Sequence, residues 1–292
     1  MHPRTGCLLA LLVASPALAA DPPPPGGLAD LTGPRALGLS AAIGTASGNE
    51  GIFLNPGAIA ARRRYTAETD VLVERRGADT VTQLIGGTVV DSQTSGLAAG
   101  FSYQRSREGD YTGNLLHLAL GGPVADKFFL GVTGKWLSLK GPEVTAGERD
   151  DVSALTVDAG FFFQVADYVS LGAAGYNLVP IGHEAVAPRG AGAGLDLGTD
   201  RIAHLTVDWR TDLDRDPDKS TNRWSAGVEV LLGGLMPLRA GYVWDETLDT
   251  QWWSAGAGLV TRGVAIDVGY RQSLDASSAR LLAASVKLNV FD

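Results

Sequence analysis

Cysteine is almost missing from this chain of 292 residues: the only one, Cys7, lies in the first apolar run. If that run is cut away, the remaining protein has no thiol, no disulfide and no cysteine-based metal site. Rigidity must then come from elsewhere, because small exported domains ordinarily lean on disulfides. Long apolar runs are scarce too. Beyond the first twenty residues none reaches the roughly 18 apolar residues of a membrane-crossing helix. A basic excess is also absent. The formal charge is −8, and it becomes −9 once a leader holding one arginine and no acid is removed, which argues against nucleic acid as a partner.

Catalytic signatures are missing as well. There is no HExxH, P-loop or GxSxG pattern, and GAGAGLDLG (190–198) lacks the GxGxxG spacing of a dinucleotide loop. The acidic stretch DLDRDPD (212–218) could offer alternate carboxylates to a cation. It lacks the glycine and the distal acid of an EF-hand loop, so it reads as a solvated loop. One Ser–His pair on adjoining segments, His204 with Ser225, is the candidate for a lipid hydrolase. The remaining expectation is a chain that is not an enzyme and holds no cofactor or metal.

What is present begins with an export signal. Arg4, the apolar run CLLALLVASPAL and the small residues Ala17 and Ala19 place a cleavable signal peptide over residues 1–19. DPPPPGG follows, a stiff then flexible stretch. Residues 20–64 form a leader with one helix start, Asn55-Pro56, where Asn can cap free N–H groups and Pro fits the first position.

From Tyr65 onward the dominant signal is alternation. Ala203, Leu205, Val207 and Trp209 share one face, and His204, Thr206, Asp208 and Arg210 the other. About fourteen such segments are predicted, at 65–75, 79–90, 96–106, 111–121, 126–139, 151–165, 168–177, 188–198, 201–212, 222–233, 236–245, 250–261, 263–273 and 278–291. Each is near the length of a tilted strand that crosses a bilayer. Short turns such as GGPVAD and GTD follow the even segments. Longer polar links such as RSREGD and KGPEVTAGERDD follow the odd ones. That layout predicts an all-β fold: an antiparallel outer-membrane β-barrel of about 14 strands over 65–292, with a short N-terminal helical segment. Aromatics near strand ends on the apolar face, among them Tyr103, Trp136, Trp209, Trp224, Trp244 and Trp253, fit interfacial girdles. A soluble sandwich alternates in the same way, but would not place its aromatics so.

On this reading the polar face lines the lumen. The expected lumen-lining residues are His204, Asp208, Arg210, Arg223, Glu229, Arg239, Asp267, Arg271 and Lys287. Inward glycines would leave room for side chains of neighbouring strands. Arg62, Arg63 and Arg64 are placed at the rim, against lipid phosphate or acidic residues.

Residues 33–60, GPRALGLSAAIGTASGNEGIFLNPGAIA, resemble the opening of the FadL-type outer-membrane transporters and the related PorV/PorQ barrels. Those begin with an Arg-Ala-Leu-Gly-like strand, a Gly/Ala-rich stretch and an Asn-Pro-Ala-Gly-like helix start, here Asn55-Pro56-Gly57-Ala58 with Gly and Ala exchanged. A mid-chain Asn177-Leu178 followed by Pro188 and a glycine-rich strand is similar to PorV-like barrels. The resemblance implies a hatch in the periplasmic mouth, with Asn55, Pro56 and Gly57 at its centre. It implies passive transport of a small, fatty-acid-like compound, with outer-membrane lipid around the barrel. The alternative it implies is a PorV-like anchor that meets protein partners in secretion or surface assembly. The short loops depart from the transporters, which gather their ligand with long ones.

Overall fold

The computed structural model describes residues 33–46, 48–77, 79–145, 148–184, 186–214, 221–246, 249–274 and 279–291. The expected signal peptide, the DPPPPGG stretch and the end of the acidic loop lie outside them.

Alternation at this length leaves each strand one greasy and one wet face, and fourteen of them close on themselves. The barrel strands are β1 (Tyr65–Arg76), β2 (Asp79–Asp91), β3 (Ala98–Glu108), β4 (Tyr111–Ala125), β5 (Phe128–Lys140), β8 (Val152–Ala166), β9 (Val169–Tyr176), β10 (Gly190–Thr199), β11 (Ala203–Asp212), β12 (Thr221–Leu232), β13 (Met236–Asp245), β14 (Thr250–Val260), β15 (Val264–Ser273) and β16 (Ala279–Phe291). Each pairs antiparallel with its sequence neighbour, and β1 pairs with β16 to close the ring. Closure gives every backbone group a partner, which hydrocarbon cannot supply.

The greasy face is outside. Leu155 is 66% exposed, Ile85 62%, Leu118 57% and Trp244 48%. A water-soluble barrel would turn such side chains inward and pack them. The aromatic residues fall at two levels. Trp209, Trp224 and Trp244 pair in a row toward the loop end of β11–β13. Phe128, Phe161 and Phe163 cluster near the turn end of β5 and β8, with ring centroids 5.8 and 5.9 Å apart. Among the described residues no helix is long and apolar enough to cross a membrane; the strands have the length and the apolar outer face to do so.

Three details differ from the sequence reading. Most of RSREGD is strand rather than loop: β3 runs through Glu108, Arg105 and Arg107 face outward, and only Gly109 and Asp110 turn. A strand that has left the hydrocarbon needs no apolar face. The long link after β5 folds into a hairpin of its own, β6 (Glu143–Thr145) with β7 (Glu148–Arg149). The Arg-Ala-Leu-Gly segment is a helix rather than a strand: α1 (Pro34–Leu39) has Pro at its start and ends at Ser40, which takes the left-handed φ of 63°. A second short helix, α2 (Gly51–Leu54), leads into a 3-10 turn (Pro56–Ala60). These pieces form a hatch inside the barrel at the short-turn end.

Candidate functional site

The hatch is held by its own backbone. Asn55 caps the 3-10 turn: its Oδ1 accepts from Gly57 N at 3.1 Å. Its Nδ2 donates to Ile43 O at 3.0 Å and to Phe161 O on β8 at 2.8 Å. One buried amide thus joins two parts of the hatch to the wall. Tyr176 Oη donates to Leu54 O at 2.7 Å, Thr133 Oγ1 to Ile52 O at 3.0 Å, Ser170 Oγ to Gly44 O at 2.7 Å and Ser254 Oγ to Gly38 O at 2.8 Å. Wall hydroxyls therefore satisfy hatch carbonyls that short helices leave unpaired.

The wall meets the hatch with glycines. A Cβ on Gly131 would run into Pro56 and Gly57, one on Gly160 into Asn55, one on Gly172 into Ile43, one on Gly227 or Gly241 into Leu39, and one on Gly269 into Pro34. The sequence suggested that such glycines make room for neighbouring strands. Around this belt the room is taken by the hatch main chain instead. Pro56 and Gly57 are both buried there, and Gly57 lies flat on the Phe161 backbone.

On the β10–β15 side the contact is ionic. Arg35 of α1 reaches Glu229, with Nε–Oε2 and Nη2–Oε1 both 3.2 Å. Arg239 donates from Nε to the same carboxylate, and its Nη1 lies 2.6 Å from Asp267 Oδ1. His204 stands between acids, with Nδ1 2.6 Å from Asp196 and Nε2 2.9 Å from Glu229. Asp208 Oδ2 accepts from Ala42 N at 2.6 Å and Ile43 N at 2.8 Å. The Arg210 guanidinium sits 4.1 Å from the Tyr176 ring centroid, and Arg223 pairs with Asp245 at 3.5 Å. Arg210, Arg223 and Arg271 line one small chamber beside the hatch. Lys287 pairs with Glu68 at 3.2 Å, away from this group.

All nine expected lumen residues therefore project inward, but most reach the hatch or one another rather than an open channel. His204 and Ser225 are not brought together as a catalytic pair. Both imidazole nitrogens are engaged by acids, and Ser225 stands opposite Asp208. The rim arginines meet protein: Arg62 pairs with Asp200, Arg63 donates to Ser92 O and Ser95 O, and Arg64 N donates to Ser92 Oγ at 3.0 Å.

Sequence reasoning missed Arg35 and Asp196, together with the Lys135–Asp158 pair at 2.7 Å. Inward parity marks Asp196, Lys135 and Asp158. Nothing local marks Arg35, whose partner lies 194 residues away.

The lumen is also not polar throughout. Leu72, Leu84, Leu115, Leu137, Leu139 and Val152 face inward on β1, β2, β4, β5 and β8, and form one buried cluster with Leu37 of α1 and with Val186 and Ala187 of the β9–β10 loop. Alternation read one strand at a time does not show it, because leucines occupy both faces of these strands.

Glu50 of the hatch is buried, and its Oε1 accepts from Ala36 N at 3.0 Å. Burial pushes its carboxyl above the usual glutamate range; Arg35 and Lys287 oppose that shift and Glu68 adds to it. The folded protein therefore keeps this proton to a higher pH than the unfolded chain. Its contribution is complete below the ordinary glutamate pKa and is lost as pH rises through the folded value. Glu50→Gln keeps the acceptor and removes the charge. Its stability should be flatter across that interval and equal to or above the parent at neutral pH, as read from urea midpoints measured against pH.

Known structures share this fold. The chain superposes on a CymD monoaromatic hydrocarbon channel with a TM-score of 0.67 at 14% identity, covering 88% of this chain and 97% of that one. The Pseudomonas putida toluene transporter TodX gives 0.61 at 12% identity, covering 88% and 100%. A Pseudomonas aeruginosa FadL homologue gives 0.59 at 15% identity, covering 88% and 97%. No sequence-family description matches the chain, and no curated protein does. The fold is that of the FadL-type fourteen-stranded barrel, here with a short N-terminal helical segment.

Proposed function

We propose that this barrel lies in a bacterial outer membrane and passes a small hydrophobic compound inward without chemistry. The leucine face of the lumen carries the proposal. Lumens of membrane barrels are ordinarily polar, yet here an apolar face runs from the β9–β10 loop to Leu37 on the hatch. Val186 and Ala187 cover it in this conformation. A loop that swings away would uncover an apolar track ending at the hatch, suited to a molecule with no charge to satisfy. The neighbouring structures, a monoaromatic hydrocarbon channel and a toluene transporter, agree with such a cargo. They are transporters and channels rather than secretion anchors, so the anchor reading is not carried forward.

The hatch around Asn55, Pro56 and Gly57 then closes the inner mouth, and the ionic side holds it in register. Lipopolysaccharide-containing vesicles with the barrel should take up a labelled alkylbenzene or fatty acid faster than vesicles without it. Equal rates for both cargoes would refute the transport reading.

A further inference from the structure

The outer wall is not evenly convex. A groove of about 880 Å³ crosses it over β4, β5 and β8–β11. Its floor is Ala159, Ala173 and Ala193, outward positions where other strands carry leucine, valine or tryptophan. Leu120, Leu130 and Trp209 stand along its sides. The hatch is fastened immediately behind these strands, with Asn55 bonded to Phe161 O and Pro56 against Gly131.

We infer that this groove seats an acyl chain of a membrane phospholipid, held as a fixed part of the barrel's outer surface. It is continuous with the belt of exposed apolar side chains and so opens onto hydrocarbon. The one side-chain polar atom among its described lining residues, Trp209 Nε1, already donates to Asn222 Oδ1 at 3.1 Å. A ligand bearing a polar group inside the groove would find no partner, which costs several kcal/mol in hydrocarbon. A second barrel fits poorly. A two-fold pair would set groove against groove and enclose a void rather than fill one. The volume lies within the roughly 300–1,000 Å³ of small-molecule sites, and a flexible chain can follow its slant across the wall. The inference rests on the outer face meeting a bilayer, but not on transport.

Native mass spectrometry of the detergent-extracted full chain, titrated with 1-palmitoyl-2-oleoyl phosphatidylethanolamine, tests it. The parent should retain a lipid through delipidation, and Ala173→Leu with Ala193→Leu should lower the retained fraction about tenfold, equivalent to about 1.4 kcal/mol. These alanines face each other across β9 and β10, so two leucines fill the floor. Ala240→Leu, an outward position on β13, should leave retention unchanged. Should the double variant lose the heat-modifiable mobility of a folded barrel, each single leucine variant is read in its place. Equal retention in filled and parent proteins overturns the proposal. So does a dimer that the filled variants abolish, since a second copy would then be the occupant. A chain that stays in buffer without detergent overturns the membrane reading itself, which separates that failure from this one.

Discussion

Valine at Gly227 or Gly131 will drive the hatch off the wall and turn a closed barrel into a conducting one. The three atoms nearest a Cβ on Gly227 all belong to the Leu39 main chain, and those nearest a Cβ on Gly131 belong to Pro56 and Gly57. Backbone cannot rotate out of the way, and at neither position is a barrel atom among the three. The strain therefore falls on the docked hatch and spares the strands. Overpacking of this kind costs about 1–3 kcal/mol, which moves the balance between docked and released hatch by about 5- to 150-fold. β5 and β12 hold different parts of the hatch, so the double variant should show close to the sum of the two effects. Conductance in planar bilayers, or influx of a bulky antibiotic into cells, reads the outcome. Gly134→Val is the control, because the nearest atom to its Cβ is 4.0 Å away. Barrels that stay folded and stay shut would show that the hatch does not close the pore.

Glu229→Ala should be the most damaging single change to stability. One carboxylate serves Arg35, Arg239 and His204, and all four groups are at least largely withdrawn from water. Removing it leaves two guanidinium groups without that partner, and breaking a buried pair from one side costs about 3–5 kcal/mol. Arg35→Ala is the informative contrast. It leaves Glu229 with Arg239 and His204, so the barrel should lose little while the hatch loses its ionic tie. Urea unfolding in lipid vesicles should therefore separate the two variants, and added protease should nick the hatch of Arg35→Ala before the barrel unfolds. A double-mutant cycle between positions 35 and 229 measures the coupling. Equal, small losses for both would mean that the network merely fills space.

The strands were legible because the bilayer imposes a two-residue period and a fixed span on each. β13 was read to the residue at 236–245, and both ends of β1 lie within one residue of the expected bounds. Legibility ends where the hydrocarbon ends. β4 continues to Ala125, and β6 with β7 form in a stretch that carries no alternation to read. The hatch shows the same limit from another cause. Asn55-Pro56 announced its cap locally, and Asn55 does accept from Gly57. The docking of Leu39 on Gly227 and Gly241, by contrast, is a contact between main chains far apart in sequence, and no periodicity encodes it. The inward charges were readable by parity. Their partner on the hatch, Arg35, was not.

The pairing of β1 with β16 makes closure of the ring depend on the first and the last barrel strand together. The strand that completes the wall is the last of the barrel strands in chain order, and its neighbour β1 begins five residues after the hatch's 3-10 turn ends. The hatch has no enclosing wall until β16 has paired with β1. Shortening the C-terminus by one strand would do more than thin the wall. It would expose a row of unpaired amides along β1 and β15, an edge prone to recruit foreign strands, and the nascent plug would have no closed ring to settle into.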